Sequence, residues 1–185
     1  ALGSAVGAAR ELLNLPIESV LPQDGRSRIA AAAGEQTSTR DQSLNQLDNN
    51  VDPTSVFYAP GSLVRHTYNT NHPVAYGMPT DWPVFFRMDQ AYRVTPDSNI
   101  AAEIVSRYPD APDMTVSGWL LGGELLRNRA NVVSFSVGHG TVVTIGSQAT
   151  FRAQTRATFK LLFNAIFYGP ATKINAQELA ACCSK

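Results

Sequence analysis

The stretch VVSFSVGHGTVVTI, residues 132–145, constrains the fold of this chain more than any other. Two alternating, β-branched runs at 132–137 and 141–145 flank Gly138, His139 and Gly140. A glycine loop that cradles phosphate leads at once into a helix whose first amides face the anion. Here a second strand follows. The glycines therefore mark a tight hairpin, where the backbone needs φ > 0. His139 then sits at the hairpin tip and faces water, which argues against a catalytic role.

The segments on either side read as helices. After a loop at 146–154, TRATFKLLFNAIFY predicts a helix over 155–168, ended by Gly169 and Pro170. Phe159, Leu162, Phe163 and Ile166 fall on one face, which is expected to pack on the sheet. Arg156 and Lys160 lie four apart on another face. They could hold an anion, although a solvated face explains them as well. At the other end, ALGSAVGAARELLNLP predicts a helix over 4–15 with Val6, Ala9, Leu12 and Leu13 as its apolar positions. Ser4 is the candidate N-cap, and Pro16 closes the segment. The small residues Ala1, Gly3, Ala5, Gly7 and Ala8 let the start of this helix lie close against a sheet. A strand is therefore expected to precede Ala1.

Between these ends, 16–22 and 56–58 read as short strands. LVRHTY (63–68) alternates, and WPVFFRM, AYRV and AEIVSRYP read as strands or extended pieces. Residues 59–62 form a turn and 69–73 a loop, and SGWLLGGELLRNRA (117–130) combines a loop with a helical turn. The polar stretch 26–55 has almost no large apolar residue in its second half beyond Leu44, Leu47 and Val51. It cannot bury enough to offset its ordering entropy, and reads as a long surface loop or partly disordered insert over 34–55, with room for a short helix at 40–47.

Composition then removes several function classes. A chain of 185 residues is one domain. Fifteen Lys and Arg residues balance fifteen Asp and Glu, so no net charge draws the chain to nucleic acid or an anionic membrane. No apolar run reaches the ~18–20 residues of a membrane helix. Cys182 and Cys183 are adjacent near the end of the chain, cannot staple distant segments, and leave the redox compartment open. None of the three histidines has a carboxylate or second histidine at a short zinc-binding spacing. His66 and His72, six apart across a turn, remain the one pair that could share a metal. No G-x-S-x-G elbow occurs. A catalytic site assembled from scattered residues stays open.

Four stretches carry a family resemblance: FYAPGSLVR (57–65), NHPVAYGMP (71–79), RYPDAPDMTVSGWLLGGELLRNRANVVSFSVGHGTVV (107–143) and FRAQTRATFKLLFNAIFYG (151–169). They resemble the C-terminal region of large secreted bacterial proteins of the M14 zinc carboxypeptidase family. There, a domain similar to the class I glutamine amidotransferases follows the peptidase domain. The resemblance runs from the opening helix to about Gly169, without support from 36–50. It implies an α/β, flavodoxin-like three-layer sandwich that lacks its N-terminal strands and ends in a β-hairpin and a helix. The domain would span 1–170, with the polar loop at 34–55 and a flexible tail at 171–185. Zinc would belong to the upstream peptidase domain, with no cofactor in this chain, and the protein would be secreted, periplasmic or bound to the cell envelope.

Two positions depart from a working amidotransferase. Its nucleophilic cysteine would fall near ALGSA (1–5), which has none, and its partner histidine just after TVVTI, where GSQATFR stands. The resemblance therefore implies a domain that keeps the fold without the reaction, a non-catalytic accessory domain of a metallocarboxypeptidase-like protein. A hydrolase or amidotransferase with a non-standard site at the strand ends, lined by loop 146–154, is the second reading. A structural subunit of a larger assembly is the third. Arg65, Trp119, Phe151 and Arg152 are the candidate surface residues for a ligand or interface. Their structural alternative is that Trp119 covers the core and Arg152 holds strand ends together. The expected partner is the upstream peptidase domain, or a separate chain, covering the N-terminal edge. A homo-oligomer is allowed, whereas nucleic acid and a membrane span are not expected.

Overall fold

A computed structural model describes residues 1–3, 5–21, 57–87, 90–97 and 99–171. The polar insert at 34–55, the helix at 40–47, the Ser4 cap and the tail with Cys182 and Cys183 lie outside these residues. The described chain is mixed α/β, with two α-helices and an open antiparallel sheet of eight strands.

Helix α1 (Ala5–Leu13) leads into β1 (Ile17–Ser19). After the insert come β2 (Ser62–Tyr68), β3 (Asp81–Phe86), β4 (Tyr92–Val94), β5 (Ala101–Arg107) and β6 (Thr115–Ser117). The expected hairpin is β7 (Ala130–Val137) and β8 (Gly140–Ile145), and helix α2 (Phe159–Tyr168) ends the described chain. The sheet order is β1-β4-β7-β5-β2-β3, with β6 also paired to β2 and β8 also paired to β7. At the hairpin, Val137 pairs with Gly140, and only Gly138 takes positive φ, at 58°. A glycine at the first of two central positions is what a type II′ turn requires. His139 is exposed there.

Alternation along the strands sorts side chains between two faces. In β7, Val133 and Phe135 join Val6 of α1 in one cluster, while Val132 joins Leu161 of α2 in another. The helices therefore cover opposite faces of the sheet. A third cluster is built on Phe57, Val64, Phe86, Tyr108 and Leu126 and includes no residue of either helix. Every pairing among the eight strands is antiparallel, whereas a flavodoxin-like sheet is parallel. The described parallel pairing is the bridge of Leu2 to Ile145.

Several sequence expectations shift. In α1, Leu12 is exposed and only Val6 is buried. Asn14 turns the chain with φ 48°, and Leu15 and Ile17 fill the core in place of Leu12. Helix α2 begins at Phe159 rather than 155, after a 3₁₀ turn at Arg156–Thr158. The buried Thr158 hydroxyl bonds back to the Ala149 carbonyl, which holds this turn against loop 146–154. The inward face of α2 is also not the expected one. Leu161 is fully buried, with Ala157, Ala165 and Tyr168 packed around it, while Phe163 and Ile166 are exposed.

Candidate interaction surface

Of the four residues selected from sequence, Arg65 and Phe151 each contact β3, and Arg152 lies over Phe151. In the β2–β3 register Leu63 faces Phe85, and Arg65 faces Pro83. Arg65 Nη1 donates to Asp81 Oδ1 at 2.8 Å, an exposed ion pair on the open face. Phe151 stacks on Phe85 with ring centroids 4.8 Å apart and planes 8° from parallel, and the Arg152 guanidinium lies 5.3 Å from the Phe151 ring centre. Thr155 Oγ1 donates to the Pro83 carbonyl at 2.9 Å and accepts from Trp82 Nε1 at 3.0 Å. The segment 151–155 is thus a strap along the outer edge of β3, and such cover protects an edge strand from unwanted pairing. Trp119 stands apart, on the other side of β2. It is exposed, and its carbonyl accepts from the Ser62 hydroxyl.

The histidines are committed elsewhere. His66 is fully buried, with Nδ1 3.1 Å from Ser106 Oγ and its ring edge-on to Tyr108. Burial pushes its pKa down to about 3, so it is neutral at physiological pH. His72 Nδ1 accepts from the Val74 amide at 3.1 Å and caps the 3₁₀ turn at Pro73–Ala75. Among the described residues, no group of three or more His, Cys, Asp or Glu side chains is placed to hold a metal ion.

Loop 146–154 opens on a buried polar network. Asn131 Nδ2 donates to the Tyr108 hydroxyl at 3.0 Å and to the Gln90 carbonyl at 3.2 Å, and Ser147 Oγ donates to Asn131 Oδ1 at 2.9 Å. A Cβ on Gly146 would meet the Gln90 carbonyl at 2.8 Å, so the chain passes here only as glycine. Tyr108, Asn131 and Ser147 have almost no exposure. The network satisfies buried polar groups where four segments converge.

The exposed feature lies at the opposite edge. Ala1 to Gly3 run beside the end of β8: Ala1 N donates to the Val143 carbonyl at 2.8 Å, Ile145 N to the Ala1 carbonyl at 2.9 Å, and Gly3 N to the Ile145 carbonyl at 2.8 Å. Between this edge and α2 is an open groove of about 290 Å³, lined by Leu2, Val143, Ile145, Leu162, Ala165 and Ile166. Beside it on α2, Phe163 is 54% exposed, Ile166 58% and Phe167 77%. Two polar side chains set the rotation of α2. Asn164 Nδ2 donates to the Val74 and Tyr76 carbonyls at 3.0 and 2.9 Å, and Lys160 Nζ donates to the Gly77 carbonyl at 2.6 Å. The Lys160 of the expected pair with Arg156 is therefore occupied by backbone. The apolar surface is the part of the site that the residue-by-residue reading missed. Its signal was present, because FKLLFNAIFY has only Lys160 and Asn164 as polar residues, and a helix apolar on all sides is normally buried on all sides.

No helix among the described residues is long and apolar enough to cross a membrane. In comparisons with known proteins, no family model, no curated protein and no solved structure matches this chain.

Proposed function

We propose that this chain is a non-catalytic accessory domain of a secreted, zinc metallocarboxypeptidase-like protein of the M14 family, and that it works by binding polypeptide. The observation that carries the reading is the uncovered apolar surface of Phe163, Ile166 and Phe167 beside the β8 edge. Contiguous exposed apolar side chains around a groove mark an interaction face. The partner is the peptidase domain upstream, or a separate chain, and zinc belongs to that partner. The cell envelope or exterior is the proposed location, on the resemblance alone.

The finer fold assignment belongs to the same proposal. Helices on both faces of the sheet, and a parallel bridge at Leu2 followed directly by α1, support a flavodoxin-like layer at this edge. The antiparallel strands β2 to β7 would be elaborations on it.

Photo-cross-linking tests the reading in protein taken from its source organism, with a benzophenone amino acid at Phe167 and peptide mapping of the products. Cross-links to peptides of a peptidase domain carrying a His-x-x-Glu and a later His support it. A native protein of 20.0 kDa that forms no cross-link and stays monomeric overturns it.

A further inference from the structure

We propose that Arg93 and Arg129, side by side on one face of the sheet, hold the phosphate group of a small phosphate monoester. The site is separate from the apolar face of α2, and it does not depend on the accessory-domain reading.

The placement follows from register. Tyr92 of β4 faces Ala130 of β7, and antiparallel pairing then sets Arg93 opposite Arg129. On its other side Arg93 faces Glu18 of β1. Tyr92 and Ala130 point into the cluster that holds Val6 of α1, so alternation puts Glu18, Arg93 and Arg129 on the opposite face. The backbone that carries Arg129 is fixed. Its amide donates to the Leu126 carbonyl at 3.0 Å, and its carbonyl accepts from the Tyr108 amide at 2.9 Å.

Like charges directly opposite on neighbouring strands repel and destabilise a sheet. Burial first, and then the Arg93 charge, lower the pKa of the Arg129 guanidinium. An arginine nevertheless stays charged at neutral pH. Both side chains are half-buried. Arg129 Nε is shut off from solvent, and no hydrogen-bond partner reaches it among the described residues. A buried N–H without an acceptor carries its full desolvation cost. An oxyanion between the two side chains removes both penalties, since it cancels the repulsion and accepts from Nε.

The arrangement favours phosphate among oxyanions. A phosphate monoester brings close to two negative charges and three acceptor oxygens to two guanidinium forks, whereas a carboxylate brings one charge and two oxygens. Glu18 is exposed and lies on the side of Arg93 away from Arg129, so it bounds the basic surface there. A surface two residues wide takes one phosphate group. It gives no track for the repeated phosphates of nucleic acid.

The test is an NMR titration of the Arg129 Nε–Hε signal, assigned by its absence in Arg129→Met. Inorganic phosphate, glycerol 3-phosphate and acetate are added in turn at about pH 7.5, above the second phosphate ionisation, with chloride holding the ionic strength constant. Both phosphates should shift the signal saturably, with affinity roughly tenfold above that for acetate. Arg93→Gln should remove the saturable shift, because the phosphate bridges both side chains. Melting temperatures keep the test open if Arg93→Gln fails to fold. Phosphate in place of chloride should raise the melting temperature of wild type more than that of Arg129→Met, which keeps an apolar stem and loses the charge. A shift that rises linearly without saturating overturns the proposal. So does equal affinity for acetate, or an equal gain in melting temperature for wild type and Arg129→Met. A phosphoserine tripeptide binding roughly tenfold more tightly than glycerol 3-phosphate would overturn the small ester in favour of a modified polypeptide.

Discussion

Asn164 of α2 donates from one amide nitrogen to two carbonyls, those of Val74 and Tyr76, at 3.0 and 2.9 Å. This fork bonds the helix to the turn after β2 and decides which side of α2 meets the sheet. Asn164→Ala should lower stability by about 1 kcal/mol, since the part-buried Val74 carbonyl loses its donor while the exposed Tyr76 carbonyl can turn to water. Urea denaturation checks it. A loss under about 0.3 kcal/mol would mean that packing of Leu161 alone fixes the helix.

Burial on α2 reverses the expectation drawn from periodicity, and two substitutions separate the cases. Leu161→Ala removes a fully buried side chain from the cluster with Val132 and Ile145, and should cost about 2–5 kcal/mol. Phe167→Ser changes a side chain that is 77% exposed and should alter stability by less than about 0.5 kcal/mol. The same Phe167→Ser change should reduce binding of a hydrophobic dye and any self-association in light scattering. A large loss of stability in Phe167→Ser would place that side chain in the core.

Gly118 is a position where the backbone admits only glycine. Its φ is 94°, and an added Cβ would stand 2.8 Å from the Gly61 carbonyl and from Ser62. Gly118→Ala should therefore cost about 1–3 kcal/mol through strain and overpacking. It should also disturb the β6–β2 register, where Leu63 pairs with Ser117. Thermal melting, with exchange at the β6 amides, reads both effects. Wild-type stability would show that the loop re-forms with a different path.

How far sequence reached can be argued from these elements. The β7–β8 hairpin was legible because two alternating runs and one glycine turn are local signals, and local signals survive into the fold. The alternation of β2 was legible for the same reason, and it puts Val64, His66 and Tyr68 inside. Strand order was not legible, since the pairing of β1 with β4 and of β7 with β5 is decided by contacts distant in sequence. For the candidate site, the surroundings of Phe151 were not legible, because Phe85, on which it stacks, is remote in the chain. The rotation of α2 depended on carbonyls at 74–77 that no helical pattern contains.

His66 makes stability depend on pH. Its folded pKa is held near 3 by burial, while an unfolded histidine titrates near 6.5. Above pH 6.5 both states carry a neutral ring, and His66 adds no pH dependence. Below it the unfolded chain takes up a proton that the folded chain refuses, so stability falls as pH falls, over the window from about 6.5 down to 3. The slope from this one group is roughly 1 kcal/mol per pH unit in that window. Carboxylates titrate lower and add their own slope, so the comparison is with His66→Gln, which keeps a buried polar side chain and removes the titration. Urea midpoints measured between pH 7 and 5 should fall more steeply for wild type than for His66→Gln. Parallel slopes would mean that His66 is protonated in the folded state, with water reaching its ring through the strand-end cluster of Tyr108 and Ser106.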